Sequence, residues 1–356
     1  MHNKIKLTQI EGRGFGGMID ARGSQQQFFD QAFATPSLLP DMFDQSGGLL
    51  LVKGLERIAV EPECLVRMSH LFGSEVENYL NTPTPRNMIH EDVSEVLIIS
   101  NLPPCDRQPP PRPSPVTTDS GRLPVQFPHR LNWHTDQSFR RPPPDLSLFY
   151  GVITTPHGQG QTLFADGYAA YEELPDQLKQ QIEGLSGLHA LLGTGRTEKS
   201  ILDGIEPMKL LPHQTSQQQP LVRIHPVTGK PALYLCERTQ MDWLDGPIVG
   251  MQPGPGGEGA KLLYQLMSHY TDAKYVYAHE WDDGDLVVYD NRCLVHCATW
   301  FDAKKHDRLM WRTTVMGNPG AEYEGEARSW IPQQGQDLLE GLGDGRWENL
   351  THKNVN

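Results

Sequence analysis

Short apolar runs separated by polar, glycine-rich turns recur along this chain. Runs of this length, rich in β-branched and aromatic side chains, predict buried strands at 49–52, 96–100, 146–152, 161–165 and 308–316. A turn at 226–230 predicts a hairpin between 221–224 and 232–235. A second hairpin is predicted in which residues 282–285 join strands at 275–281 and 286–289.

Apolar residues at helical spacing predict a smaller number of amphipathic helices. These fall at 24–33, 61–72, 175–185 and 257–270. Because strands and helices do not alternate regularly, the pattern favours a β sandwich or barrel with external helices over a doubly wound sheet. A length of 356 residues is compatible with one elaborated domain, and we predict a single domain over residues 1–356.

Two segments fall outside this pattern. Prolines crowd residues 103–125, and residues that lack a backbone N–H cannot join a sheet, so a long loop is predicted there. Two interpretations of this loop stay open: a lid over an active site, or a solvated surface insertion. The polar, glycine-rich residues 319–356 predict a peripheral C-terminal tail.

Composition narrows the classes of partner. The formal net charge of -13 argues against nucleic acid and anionic membranes, because binding to either depends on Lys and Arg. The five cysteines form no Cys-x-x-Cys pair, which argues against a disulfide framework and indicates a reducing compartment. No segment has the apolar length of a signal peptide or membrane span, so a cytoplasmic protein is expected. A homo-oligomer is compatible with these features.

The candidate chemistry begins with His134 and Asp136. On an extended segment, residues two positions apart share a face and can bind one ion. His296 interrupts a predicted apolar strand, although a lone histidine there is more often buried and hydrogen-bonded than ligating. Two imidazoles and one carboxylate form the set that binds Fe(II) and leaves positions open for a co-substrate and oxygen. The same set can also hold a catalytic zinc with water.

Arg308 and Arg312 lie four positions apart on a predicted strand and therefore share a face. If that face points inward, an unpaired guanidinium would be costly, so an anion is implied. The arginine fork matches a carboxylate in a bidentate manner. A cross-strand ion pair with an acidic residue is the alternative.

On these residues the chain resembles the taurine dioxygenase-like family of Fe(II)- and 2-oxoglutarate-dependent oxygenases. The resemblance runs from about residue 14 to residue 317, with anchors at 132–136, 160–164, 220–229 and 290–296, and at Arg312. It implies a mainly β fold, a double-stranded β-helix or cupin-like jelly roll flanked by helices. It also implies that His134, Asp136 and His296 bind Fe(II).

The resemblance further implies that Arg308 and Thr162 bind 2-oxoglutarate and that O2 is the second co-substrate. Decarboxylation of 2-oxoglutarate to succinate and CO2 would accompany oxidation of a C–H bond in a small, anionic substrate. Hydroxylation, desaturation, ring closure and cleavage after hydroxylation all stay open. A zinc-dependent hydrolase and a non-catalytic jelly-roll binding protein are the alternatives.

Expected substrate contacts cluster around the metal-binding segment. Arg312 matches the family position that binds the substrate's anionic group, and Phe139 matches an aromatic wall of the pocket. Arg130, Leu131 and Gln137 complete the predicted set. Because residues 74–79 lack the anion-binding histidine of the taurine enzyme, a different carboxylate or amino acid-like substrate is expected.

Overall fold

The structure is a computed structural model that describes residues 5–114, 116–127, 129–237 and 240–336. Its strands are β1 (Thr8–Gln9), β2 (Gly17–Asp20), β3 (Leu49–Lys53), β4 (Glu75–Val76), β5 (Leu97–Ser100), β6 (Leu146–Ile153), β7 (Thr162–Asp166), β8 (Ser186–His189), β9 (Gln217–Pro220), β10 (Val222–Ile224), β11 (Pro231–Leu233), β12 (Val276–His279), β13 (Leu286–Asp290), β14 (Leu294–Ala298) and β15 (Leu309–Met316). The helices are α1 (Gln25–Ala34), α2 (Leu38–Gln45), α3 (Glu63–Ser69), α4 (Gly167–Glu172), α5 (Asp176–Ile182), α6 (Glu198–Leu202) and α7 (Glu258–Tyr270).

Two β-sheets form the centre of the described structure. The larger sheet has the strand order β1-β2-β3-β13-β6-β15-β4, with β5 also paired to β15. The smaller sheet has the order β12-β7-β14. Within both sheets the strand pairs are antiparallel except β2 and β3, which run parallel. Two further pairs, β8 with β9 and β10 with β11, lie outside these sheets.

Alternation along the strands of the larger sheet builds two separate cores. In β3, Leu50 and Val52 pack into a cluster that includes apolar residues of α1, α2 and α3. Leu49 and Leu51 belong to a different cluster, which includes Phe164 of the smaller sheet. Successive side chains of a strand point to opposite faces, so one face of this sheet contacts helices and the other contacts the second sheet.

The smaller sheet is covered on its other face by helices. Leu163 and Ala165 of β7 join Val295 of β14 in a cluster with Leu263 and Leu266 of α7. The resulting order is helices, sheet, sheet, helices. This arrangement confirms the predicted β sandwich with external helices.

The predicted hairpin at 275–289 is wrong. Strand β12 pairs with β7 in the smaller sheet, whereas β13 pairs with β3 and β6 in the larger one. The intervening turn carries the chain between the two sheets because its side chains bond across to β3: Lys53 Nζ lies 2.8 Å from Asp282 and 3.0 Å from Asp285. Trp281, buried in the cluster between the sheets, anchors the start of the turn.

The described part of the C-terminal segment, residues 319–336, contacts the rest of the domain at several side chains. Tyr323 is buried and donates a hydrogen bond to Gln219 Oε1 at 2.8 Å. Arg223 reaches Glu322 at 3.2 Å and also bonds to the carbonyl of Pro319. Residues 337–356 of the predicted tail lie outside the described residues. Among the residues described, no helix is long and apolar enough to cross a membrane.

Candidate active site

A cavity of about 220 Å³ lies where the two sheets meet. Side chains from both sheets line it, including Phe149 of β6, Thr162 of β7, Tyr289 of β13 and His296 of β14. Residues 107–111 of the proline-rich segment supply another part of its wall. Most of the side chains predicted from the sequence to carry chemistry meet in this one cavity.

His134, Asp136 and His296 come together as predicted. The two histidines form an antiparallel bridge, in which their backbone N–H groups bond to each other's carbonyls at 3.0 and 2.7 Å. Asp136 Oδ1 lies 3.9 Å from His134 Nε2 and 3.8 Å from His296 Nε2. Donor atoms of the three side chains all lie within 4.8 Å of one another, close enough to bind a common ion.

Hydrogen bonds orient two of these three donors. His134 Nδ1 lies 2.7 Å from the carbonyl of Asn132, whose left-handed backbone (φ 74°) turns that oxygen toward the ring. A proton on Nδ1 leaves Nε2 free to ligate, which is the role that outer hydrogen bonds play at metal-binding histidines. Asp136 Oδ2 accepts hydrogen bonds from Tyr289 at 2.6 Å and Ser147 at 2.8 Å. Its other oxygen, Oδ1, therefore points toward the histidines.

Electrostatics give these donors the protonation that a divalent metal requires. Burial lowers the pKa of His134, and burial together with the His134 ring and Arg312 lowers the pKa of His296 to about 3. Burial acts to raise the pKa of Asp136, but Arg312 and then the two histidines outweigh it and hold that pKa well below its usual range. Two neutral imidazoles and one carboxylate fit Fe(II).

Arg308 and Arg312 both line the cavity, but their charges are balanced differently. Arg312 Nη1 donates to Asp136 Oδ1 at 2.5 Å. Arg308 has no ion pair among the described residues, and its buried Nε has no hydrogen-bond partner there. Burial and then Arg107 lower the pKa of Arg308 to about 10, so it stays charged at neutral pH. Arg308 is therefore an unbalanced buried cation, as an anion-binding residue would be.

Thr162 lies on the same wall with its hydroxyl already oriented. The indole N–H of Trp281 donates to Thr162 Oγ1 at 3.0 Å. Because that bond uses an acceptor position of the oxygen, the hydroxyl proton remains able to donate to an anion. Thr162 and Arg308 thus offer two donors to a carboxylate.

The structure sorts the predicted substrate contacts into two groups. Leu131, Gln137 and Phe139 line the cavity with Arg312. Arg130 does not line it, although its guanidinium is buried. Arg130 ends a turn in which its backbone N–H bonds to the carbonyl of Gln126 at 3.3 Å, and the chain reaches the cavity at the next residue, Leu131.

Sequence reasoning missed Arg107, which reaches the cavity from the proline-rich segment. The backbone N–H of Arg107 bonds to the carbonyl of Ser100 at 2.8 Å, which continues the end of β5. Nothing in the local pattern distinguishes this arginine from those that follow it in the same segment. Tyr79, which lies in the stretch without the expected histidine, also lines the cavity.

Parts of two sequence anchors, residues 220–229 and 290–293, lie away from this cavity. Asp290 accepts three bonds from Arg292 and a fourth, at 3.0 Å, from His225 Nε2. A second group of possible metal ligands, His225, Asp290 and Cys293, lies here. Arg292 binds both oxygens of Asp290 and balances its charge, so this group is a buried ion-pair network.

Comparison with known proteins agrees with this geometry. The model of the Taurine catabolism dioxygenase TauD, TfdA family matches residues 37–314. The chain is 30% identical over 205 residues to the alpha-ketoglutarate-dependent 2,4-dichlorophenoxyacetate dioxygenase of Burkholderia sp. (strain RASC), covering 56% of this chain and 62% of that one. It is 33% identical over 196 residues to the (S)-phenoxypropionate/alpha-ketoglutarate-dioxygenase of Sphingobium herbicidovorans, covering 54% and 64%. The chain thus spans less than two thirds of either relative's length.

A solved structure supports the fold over more of the chain. The crystal structure of AAD-2 in complex with Mn(II) and N-oxalylglycine matches with a TM-score of 0.60 and 26% identity, covering 89% of this chain and 98% of that one. This likeness confirms the jelly roll flanked by helices.

Proposed function

The chain belongs to the Taurine catabolism dioxygenase TauD, TfdA family, and from this premise we propose that it is an Fe(II)- and 2-oxoglutarate-dependent dioxygenase. The observation that carries the proposal is the position of an unbalanced buried cation, Arg308, in the same cavity as the His134, Asp136 and His296 donors. A zinc hydrolase would use the same three donors but has no role for Arg308. The proposed enzyme acts on a small molecule in the cytoplasm, as the free, buried cysteines suggest.

The protein's own residues have separable tasks in this proposal. Bound Fe(II) and O2 would supply the oxidation, in which 2-oxoglutarate yields succinate and CO2 while a substrate C–H bond is oxidised. Arg308 and Thr162 bind and orient the distant carboxylate of 2-oxoglutarate. Tyr289 and Ser147 hold the Asp136 carboxylate in its ligating orientation. Positioning and exclusion of water are the protein's contribution to such chemistry.

We also propose that the substrate is anionic and that Arg312 binds its anionic group. Arg312 and Phe139 both line the cavity, so the site offers a charged group and an aromatic surface. Two relatives carry the names of phenoxyalkanoate oxygenases, whose substrates combine a carboxylate with an aromatic ring. The bond that is oxidised and the outcome, from hydroxylation to cleavage, follow from how that substrate lies.

An anaerobic titration tests the reaction class. Adding 2-oxoglutarate to the protein with Fe(II) should produce a visible charge-transfer absorption, and admitting O2 should release succinate. His296→Ala should lose both signals, because one of three donors is gone. Hydrolytic activity with zinc and no 2-oxoglutarate would support the hydrolase instead. Bound iron without succinate release, over a broad panel of carboxylates, would support a binding protein.

Replacing Arg312 tests the substrate contact. Arg312→Ala should raise the KM for the anionic substrate much more than the KM for 2-oxoglutarate, because the two anions use different arginines. Arg312→Lys keeps the charge and should recover part of the loss. Equal increases in both KM values for Arg312→Ala would contradict the assignment.

A further inference from the structure

The cavity contains more positive charge than the proposed co-substrate can balance. Four arginines line it, at positions 107, 140, 308 and 312, whereas Asp136 is the one carboxylate among the described lining residues. Arg140 is already neutralised, because its Nη1 lies 2.6 Å from Glu77 Oε1 and both side chains are buried. Three guanidinium groups therefore face one carboxylate.

Adding the proposed co-substrates does not remove the excess. The two positive charges of Fe(II) are balanced by Asp136 and by the carboxylate of 2-oxoglutarate at the metal. The charge of Arg308 is balanced by the other carboxylate of 2-oxoglutarate. The single negative charge of Asp136 is then counted against the metal, which leaves the charge of Arg312 unbalanced. Arg107 has no ion pair or side-chain hydrogen bond among the residues described. Two positive charges, on Arg107 and Arg312, therefore remain in the cavity.

Arg107 lies close enough to the other two arginines for their charges to interact. Burial and then the charge of Arg312 lower the pKa of Arg107. Arg107 in turn contributes, after burial, to the lowered pKa of Arg308. Like charges act on each other in this way when they share one poorly solvated space. A guanidinium that merely projected into solvent from a surface loop would be screened from such neighbours.

The segment that carries Arg107 is fixed to the domain on both sides of it. Cys105 is buried in a cluster with Tyr79, Met88, Ile89 and Leu97. The guanidinium of Arg112 stacks over the ring of Trp300 at 5.0 Å. Pro109, Pro110 and Pro111 lie between these contacts and line the cavity. Because proline fixes the backbone angle φ, this part of the segment is stiff, and Arg107 is held in position before any ligand arrives.

We propose that Arg107 is a second anion-binding residue of the substrate site, so that the substrate bears two negatively charged groups, one bound by Arg312 and one by Arg107. This inference rests on the proposed dioxygenase function and adds the charge of its substrate. Charge-assisted hydrogen bonds from arginine are among the stronger contacts available to a carboxylate, so each group contributes to selection. Monoanions of similar shape leave the charge of Arg107 without a partner and bind more weakly.

A matched pair of substitutions tests this assignment. Arg107→Gln removes the proposed contact, whereas Arg112→Gln removes a guanidinium from the same segment that does not line the cavity. The probes are phenoxyacetate, a monoanion, and its 2-, 3- and 4-carboxy derivatives, which place a second carboxylate at three spacings. Calorimetry under nitrogen measures the Kd of each probe for the protein loaded with Mn(II) and 2-oxoglutarate.

We expect at least one dianion to bind the wild type more tightly than phenoxyacetate does. Arg107→Gln should raise the Kd of that dianion by roughly 10- to 100-fold, as loss of a charged hydrogen bond predicts. The Kd of phenoxyacetate should rise by less than about threefold. Arg112→Gln should leave both Kd values unchanged. The inference is overturned if no dianion is preferred, if Arg107→Gln weakens both classes equally, or if its main effect is on the Kd of 2-oxoglutarate.

The visible absorption of the Fe(II) and 2-oxoglutarate complex separates the two levels of failure. If Arg107→Gln keeps this absorption and still binds every probe like the wild type, only the inference about Arg107 fails. If the wild type never forms the absorption, the proposed function fails with it.

Discussion

Replacing Arg308 with methionine should change stability and co-substrate binding in opposite directions. Arg308 is 8% exposed, and its charge has no ion-pair partner among the described residues. A buried cation without a partner opposes folding, and an apolar side chain of similar length removes that cost. The same substitution removes the group proposed to bind the distant carboxylate of 2-oxoglutarate.

The two effects have comparable magnitudes. A fall in the pKa of Arg308 from 12.5 to about 10 corresponds to about 3 kcal/mol against the charged form in the folded state. Because the unfolded chain keeps the higher pKa, the folded protein bears this cost at pH 7.5, and Arg308→Met should raise the free energy of unfolding by about 1 to 3 kcal/mol. Loss of a charged hydrogen bond should raise the Kd of 2-oxoglutarate by up to roughly 100-fold.

Urea unfolding at pH 7.5 measures both effects in one experiment. Without ligands, Arg308→Met should unfold at higher urea concentration than the wild type. With Mn(II) and 2-oxoglutarate, both ligands should stabilise the wild type by mass action. Arg308→Met should be stabilised by Mn(II) but not further by 2-oxoglutarate. Arg308→Lys retains a buried cation and should not show the increase in the absence of ligand. The reasoning is refuted if Arg308→Met is less stable than the wild type or responds to 2-oxoglutarate equally.

Two other groups give tests of the metal centre and of pH dependence. Tyr289→Phe removes the 2.6 Å hydrogen bond to Asp136 and should lower the affinity for Mn(II) by about tenfold in an EPR titration. An unchanged affinity would show that Tyr289 does not orient the Asp136 carboxylate for the metal. Burial raises the pKa of Asp166 to about 6, so the folded state binds this proton more tightly than the unfolded chain, and stability should fall as pH rises from about 4 to 6. Asp166→Asn keeps a side-chain acceptor for the N–H groups that begin α4 and should flatten this part of a urea stability profile; an unchanged slope would show that Asp166 is not responsible.

Local patterns were sufficient for the parts of the site that lie within one strand or one short segment. The spacing of His134 and Asp136 placed both side chains on one face, and the four-residue spacing of Arg308 and Arg312 brought both to one cavity. Strand β3 was equally predictable, because an apolar run with buried faces on both sides is what a central strand requires.

Features that depend on contacts between distant segments could not be predicted in this way. The turn at 282–285 resembles a hairpin locally, and its bonds to Lys53 and to the backbone of Gly151, both distant in sequence, hold it against the other sheet. The side toward which Arg130 points depends on how its segment docks. Arg107 enters the cavity because Cys105 is anchored in a core cluster, a contact that no periodic pattern records.

The bond between Arg312 and Asp136 Oδ1 links two binding events that are usually considered separately. Asp136 carries one negative charge, so a metal bound at Oδ1 weakens the attraction of that carboxylate for Arg312, and an anion that binds Arg312 leaves more of the charge to the metal. Thermodynamic reciprocity requires each ligand to raise the other's affinity by the same factor, which Mn(II) titrations with and without phenoxyacetate can measure. Protein that lacks iron would then keep Arg312 paired with Asp136 and bind the substrate weakly. The substrate would stay in solution until it met a copy of the protein that contains iron.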